Sequence, residues 1–130
     1  MTERILTEVQ RDRVRLTPQP IPPFPLTTTV QTVFETGDNE DFQINSLWAA
    51  SLGTGTKDIS VYFVPAGDVA SGANAIAVNL DVPANGRVAL AGGDFPTLRI
   101  GPNVAIMAQA SANDTINIGG WGDISTGGQP

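Results

Sequence analysis

The amino-acid sequence predicts an all-β protein: a single antiparallel β-sandwich or jelly roll of about eight strands, preceded by an extended proline-rich N-terminal arm. Two observations predict this fold class. Apolar residues alternate with small or polar ones, most clearly at Ile76, Val78 and Leu80, as on a strand with one buried face. Clusters of Gly, Pro, Asn and Asp recur at roughly ten-residue spacing, as turns between short strands do.

The 130 residues suit one domain, which buries roughly 65% of the surface of its unfolded chain. We divide the chain into an arm (1–25), a sandwich body (26–124) and a polar tail (125–130). Eight segments of the body have the composition of strands and are bounded by turn residues. They are 27–35, 42–51, 57–64, 75–82, 87–91, 97–100, 103–111 and 114–124.

The residue types in each segment, and the spacing of its apolar side chains, support these strands one by one. The first, 27–35, is rich in Thr and Val, which favour strands. In the second, Phe42 and Ile44 share a face while Leu47 is out of phase with them, which predicts a bulge.

The later strands alternate in the same way, and Asn85-Gly86 is typical of a tight hairpin turn between the fourth and the fifth. The predicted core consists of nine apolar residues on the inward faces of these strands. They are Val61, Phe63, Ile76, Val78, Leu80, Val104, Ile106, Ile116 and Ile118.

Five of the ten prolines lie between residues 18 and 25. Proline fixes φ and pushes the residue before it toward extended geometry, so this stretch is predicted to be polyproline-like. We expect the arm to make few contacts with its own sandwich and to reach a neighbouring protein. Ile21 and Phe24 are its predicted apolar anchors.

Three arginines of the arm, Arg11, Arg13 and Arg15, alternate along the chain and share one side of an extended segment. They are predicted to lie near acidic groups of a partner, although a solvated basic face explains them equally well.

The amino-acid composition excludes several classes of function for this protein. Thirteen acidic and seven basic residues give a net charge of −6, opposite in sign to that of most nucleic-acid-binding proteins. The chain has no Cys and no His, so we expect no disulfide, thiolate chemistry, metal or cofactor.

No apolar run approaches the ~20 residues of a membrane helix. The N-terminus is too charged for a signal peptide, so we expect a protein used without export.

Carboxylates give little indication of a catalytic or metal site. Asp38, Glu40 and Asp41 share one polar loop and offer oxygen atoms to Ca²⁺, but their spacing matches no calcium-binding loop. The other carboxylates lie mainly at turns and strand ends, where Asp is favoured for local hydrogen bonding. Nucleophile-elbow and phosphate-loop patterns do not occur. We therefore expect no catalytic residues and no enzyme activity.

Aromatic residues suggest one binding alternative. Trp48, Tyr62 and Trp121 would form a sugar-stacking platform if they met on one surface, whereas packing in a core or interface is the commoner use of such residues. Trp48 and Trp121 are kept as candidate surface aromatics.

Four segments from residue 61 onward carry a family resemblance: VYFVPAG (61–67), AIAVNLDVPANGRVAL (75–90), FPTLRIGPNVAIMAQAS (95–111) and TINIGGWGDI (115–124). Their order, apolar spacing and turns resemble small β-sandwich structural proteins of tailed bacteriophages. The resemblance covers about half of the chain closely and the strand at 27–51 loosely, and it brings no catalytic residues. It implies a place on the virion, as a head decoration (cement), neck, tail or fibre protein.

The resulting hypothesis is a non-enzymatic virion structural protein, made in the host cytoplasm, that decorates the capsid through its sandwich and its arm. The expected partners are the major capsid protein, or neck or tail proteins, and further copies of the chain in a small homo-oligomer such as a trimer. No nucleic acid and no membrane are expected. The alternatives are a neck, tail or fibre component and, from another class, a carbohydrate-binding module that uses Trp48 and Trp121.

Overall fold

The computed structural model describes residues 16–92 and 98–126. These residues form two antiparallel sheets that pack face to face, which confirms the predicted β-sandwich. The elements within these ranges are nine strands and one 3-10 turn. They are β1 (Leu16–Pro25), β2 (Gln31–Glu35), β3 (Glu40–Ser51), β4 (Lys57–Pro65), the turn Gly72–Asn74, β5 (Ala75–Val82), β6 (Arg87–Ala91), β7 (Leu98–Ile100), β8 (Val104–Ala110) and β9 (Ile116–Thr126). No helix in the described part of the chain is long and apolar enough to cross a membrane.

Sheet A has the strand order β1-β9-β3-β6, and β7 pairs with β3 beside β6. Sheet B has the order β2-β8-β4-β5. The described edges are therefore β1 and β6/β7 in sheet A, and β2 and β5 in sheet B. The predicted polar tail begins inside β9, which continues to Thr126; residues 127–130 lie outside the described residues.

The core lies between the sheets and contains part of the predicted set. Val61, Ile106, Ile116 and Ile118 are fully buried, as predicted, while Phe63 and Val104 are partly buried against them. Half of the other fully buried apolar side chains come from β3. They include Phe42, Ile44, Leu47 and Ala49.

The prediction for β5 is wrong. Ile76, Val78 and Leu80 are 38%, 59% and 36% exposed, whereas Val82 is fully buried. Two register shifts interrupt the pairing of β5 with β4, and Asn79 adopts a φ of +50°. These irregularities break the inside–outside alternation that the sequence suggests. Because β5 is also an edge strand, no further strand in ranges 16–92 and 98–126 lies beside its apolar side chains on that edge.

The expectation that the proline-rich segment stands apart from its own sandwich is also wrong for residues 16–25. These residues form β1, which pairs with β9 along its length. Ile21, the predicted anchor for a partner, is 2% exposed in the protein's own core, and Phe24 packs against that core. Arg11, Arg13 and Arg15 lie outside the described residues.

The positions of the prolines explain how this segment joins a sheet. The N–H of Leu26 donates to a β9 carbonyl at 2.9 Å, and one extra residue of β1 is accommodated at a bulge around Pro22-Pro23. Counting back from Leu26 across this bulge, Pro25, Pro20 and Pro18 all fall where the missing N–H would point away from β9. An edge strand tolerates proline on that side only.

Candidate functional site

The outer face of sheet A carries both tryptophans that the sequence singles out. Trp48 pairs with Gly119 across β3 and β9, and Trp121 pairs with Ser46 two positions further along. The two indoles are therefore diagonal neighbours on one face. Trp121 is 48% exposed and Trp48 is half-buried.

Gly119 allows the indole of Trp48 to lie close to the backbone of β9. A Cβ atom on Gly119 would stand 2.6 Å from the Cζ2 atom of Trp48, so no larger residue fits here without displacing the ring. The Arg87 guanidinium lies 5.4 Å from the centroid of the Trp48 ring, within the range of a cation–π interaction. The backbone and Arg87 thus fix the orientation of this indole.

Polar side chains lie beside the tryptophans on the same face. Asn45 donates from Nδ2 to Asp123 Oδ2 at 2.9 Å, and Gln43 donates from Nε2 to Asn45 Oδ1 at 3.1 Å. Aromatic faces beside amides and carboxylates are the groups that stack on and hydrogen-bond to sugar rings. In this structure, however, these polar side chains already use some of their donors and acceptors to bond to one another.

A second surface is an apolar groove on the side of the sandwich where β5 and β6 run at the edges of opposite sheets. We call it the β5–β6 groove. Its volume is about 310 Å³. It is lined by Ile76, Ala77, Val78, Leu80, Ala89 and Leu90.

Two of the described sheet edges, β5 and β1, differ in their capacity for further pairing. Within the described residues, no strand pairs with the outer edge of β5, and β5 contains no proline. β1 is also an edge, but its prolines remove the N–H groups that another strand would need. The sequence did not reveal the groove, because alternation shows that a face is apolar without showing whether anything covers it.

Two carboxylates face each other next to this edge. Asp58 in β4 pairs with Asp81 in β5. The hydrogen bond between their carboxyl groups, desolvation and the charge of Asp81 raise the pKa of Asp58. No local sequence pattern indicates the pair, because the register of two strands brings together residues far apart in the chain. A polar hollow of about 50 Å³ adjoins Asp58 and Asn79.

The remaining candidate residues, which are those of the acidic loop and Tyr62, do not come together at one site in the described structure. Glu40 Oε1 accepts the N–H of Gly37 at 2.6 Å and so closes its own turn. In the part of the chain that the structure describes, no three His, Cys, Asp or Glu side chains cluster as metal ligands. Tyr62 points outward from sheet B, where it pairs with Met107, so it lies on the opposite side of the sandwich from both tryptophans.

Comparisons with protein-family models, with characterised proteins and with solved structures found no match to this chain. The sequence segments that resemble phage virion proteins are thus the sole basis for assigning the chain to that class, and the assignment stays a hypothesis.

Proposed function

We propose that this chain is a non-enzymatic structural protein of a bacteriophage virion, a capsid decoration (cement) protein that binds other virion proteins. The observation that carries the proposal is the β5–β6 groove, a concave apolar surface beside a strand edge that no other described strand pairs with. The resemblance of the sequence to phage sandwich proteins supplies the virion setting.

The groove has the physical character of a protein-binding surface. Isolated exposed apolar residues are ordinary, whereas a contiguous apolar patch indicates contact with another molecule. Ile76, Val78 and Leu80 lie together on one strand, each more than a third exposed. Among the described residues, none pairs with the outer backbone groups of that strand, to which an extended partner segment can add.

Binding to particles that lack the protein tests this proposal. Val78→Lys places a charge in the groove, and we expect it to weaken binding at least tenfold, since a buried unpaired charge opposes association. Val69→Lys is the matched control, because Val69 is 77% exposed in a loop outside the groove and should bind as the unaltered chain does. Equal binding by both variants, or no binding by the unaltered protein, would count against the proposal.

The position on the particle and the oligomeric state belong to the same proposal. A decoration protein follows the copy number of the major capsid protein, whereas a neck, tail or fibre component is present in far fewer copies. Quantitative mass spectrometry of purified particles therefore separates the two. We propose a small homo-oligomer, such as a trimer, as the assembled form.

Carbohydrate binding is the second candidate function, because Trp48 and Trp121 lie on one exposed face with polar side chains beside them. A glycan array tests it with the unaltered protein and with Trp121→Ala. Repeated specific signals that Trp121→Ala abolishes would favour this function over the first. Trp121→Ala is not expected to alter binding to particles, since Trp121 lies outside the groove.

A further inference from the structure

The outer face of sheet A carries opposite charges at two of its corners. Arg87 lies on β6 in the row that Ala50 and Asn117 continue across β3 and β9. Asp123 lies six residues further along β9 and two strands away from β6. At a rise of ~3.3 Å per residue and a strand spacing of ~4.8 Å, the two positions are about 22 Å apart.

The two tryptophans lie between these charges in a matching arrangement. Trp48 is one strand and two residues from Arg87, and Trp121 is two residues from Asp123 on the same strand. On the same spacings, the line from Trp48 to Trp121 runs within about 10° of the line from Arg87 to Asp123, and their midpoints lie about 2–3 Å apart. A single two-fold axis in the plane of the face therefore exchanges Arg87 with Asp123 and Trp48 with Trp121.

A face with this arrangement is complementary to itself. When two copies meet face to face about that axis, each Arg87 lies over Asp123 of the other copy, and each Trp48 lies over Trp121 of the other copy. An isologous interface makes every such contact twice. A surface that binds an unrelated molecule does not require its charges and its aromatic rings to share one axis, so this match favours a second copy as the occupant.

The side chains at these positions have the capacity for the contacts. Asp123 Oδ2 accepts one hydrogen bond from Asn45 at 2.9 Å, and a carboxylate offers about four acceptor sites. The Arg87 guanidinium, 5.4 Å from the centroid of the Trp48 ring, has five N–H donors for a carboxylate. Trp121 is 48% exposed, so covering it removes apolar surface from water.

The charges around Asp123 keep its corner of the face acidic. Asp41 lies on β3 opposite Ser125, one row beyond Asp123, and Arg99 lies on β7 opposite Gln43. Two carboxylates and one guanidinium leave a net charge of −1, opposite in sign to Arg87 of the other copy.

The size of the face indicates how strong the contact is. The rows from Asn117 to Ser125 span about 26 Å and four strands span about 19 Å, so the face measures roughly 500 Å² per copy. The total of roughly 1,000 Å² is at the low end for a specific interface. We therefore expect a reversible contact with a dissociation constant in the micromolar range.

We infer that two copies of this chain form an isologous dimer through the outer faces of their A sheets. Trp48 and Trp121 lie at its centre, and an ion pair between Arg87 and Asp123 lies on either side. The inference goes beyond the proposed function, because the contact forms in the purified chain without any particle, and it holds two copies rather than three. Since the dimer covers both tryptophans, carbohydrate binding on this face requires the monomer.

A charge exchange between two variants tests the inference. In sedimentation of the full-length protein over a range of concentrations, we expect a monomer–dimer equilibrium. Arg87→Glu and Asp123→Arg should each weaken self-association at least tenfold, since each places like charges opposite each other. Mixing the two variants should restore the dimer, because the mixed pair has a carboxylate opposite a guanidinium at both ends.

Two further variants separate the interface from the rest of the surface. Trp121→Ala should also weaken the dimer at least tenfold, because it removes a central aromatic contact. Asp68→Arg is the matched control for charge reversal, since Asp68 is exposed in the loop after β4, outside sheet A. It should associate as the unaltered chain does. Circular dichroism during heating verifies that every variant is folded.

Several results would overturn the inference. An unaltered chain that stays monomeric up to ~1 mM would do so, and so would a discrete species of three or more copies. Folded charge variants that fail to associate when mixed would also contradict it. A dimer that survives Trp121→Ala but is lost in Val78→Lys would place the contact at the β5–β6 groove instead. None of these measurements uses virus particles, so their failure is distinguishable from failure of the virion proposal.

Discussion

The indole of Trp48 occupies the space above Gly119 that a side chain at that position would otherwise fill. This contact lies on the outer face of sheet A, where a neighbouring strand position carries Trp121. A glycine is therefore required here by the approach of an aromatic ring to the backbone.

Gly119→Ala should destabilise the protein by about 1–3 kcal/mol, the usual cost of overpacking, and should shift the Trp48 ring toward solvent. Urea unfolding and a red shift of tryptophan fluorescence measure the two effects. Gly53→Ala is the control, because a Cβ on Gly53 would meet nothing within 4 Å. An unchanged spectrum and stability for Gly119→Ala would contradict the described contact.

Two leucines distinguish the core from the groove. Leu47 is fully buried, so Leu47→Ala should cost about 2–5 kcal/mol of unfolding free energy. Leu80 is 36% exposed on the edge strand, so Leu80→Ala should cost about 1 kcal/mol or less. Chemical denaturation of both variants checks this order, and equal losses would mean that Leu80 is covered in the isolated protein.

Much of the fold could be predicted from the sequence, because period and turn residues determine strands locally. The fourth and fifth predicted strands, 75–82 and 87–91, have the observed bounds of β5 and β6. The strand ending at Glu35 begins at Gln31, four residues later than predicted, because Thr27 and its neighbours form a turn held by side-chain hydrogen bonds.

The wrong predictions for β1 and for β5 have a common physical cause. The sequence does not show which strands lie at the edges of a sheet. Prolines exclude a central strand, but β1 is an edge that needs N–H groups on one side only. Alternation over 75–82 correctly predicts a strand, but Val78 is exposed on a strand that is an edge of sheet B in the part of the chain that the structure describes. The Asp58–Asp81 pair depends on the register between two strands, so no pattern in the sequence around either residue predicts it.

The burial of Ile21 predicts that β1 belongs to the folding unit. Ile21→Ala should lower the unfolding free energy by about 2–5 kcal/mol, as for other fully buried isoleucines. A chain that begins at Leu26 should be less stable than the full chain, because β9 loses its neighbour on one side. Thermal unfolding followed by circular dichroism checks both, and unchanged midpoints would show that β1 is dispensable.

We expect the Asp81→Asn variant to be more stable than the unaltered protein, by an amount that depends on pH. The pKa of Asp58 is raised above its ordinary value of 3.8, so proton binding to Asp58 stabilises the fold. That contribution is complete below about pH 3.8 and is lost as the pH rises through the raised pKa. Removing the Asp81 charge should therefore raise the unfolding midpoint at neutral pH and have little effect near pH 3.

Asp68→Asn provides the control for this prediction, because Asp68 is an exposed loop residue that lies away from the pair. Its unfolding midpoint should follow that of the unaltered protein across the pH range. A destabilised Asp81→Asn variant at neutral pH would show that the two carboxylates do not repel each other in the folded protein.

The location of the protein on assembled particles tests the central claim most directly. The proposed role requires that a phage genome encodes this chain. Electron cryomicroscopy of that phage's particles, with mass spectrometry of the same preparation, should then show the sandwich repeated regularly on the head surface. Particles made without the gene should lack that density. Absence of the chain from purified particles would contradict its proposed role as a virion structural protein.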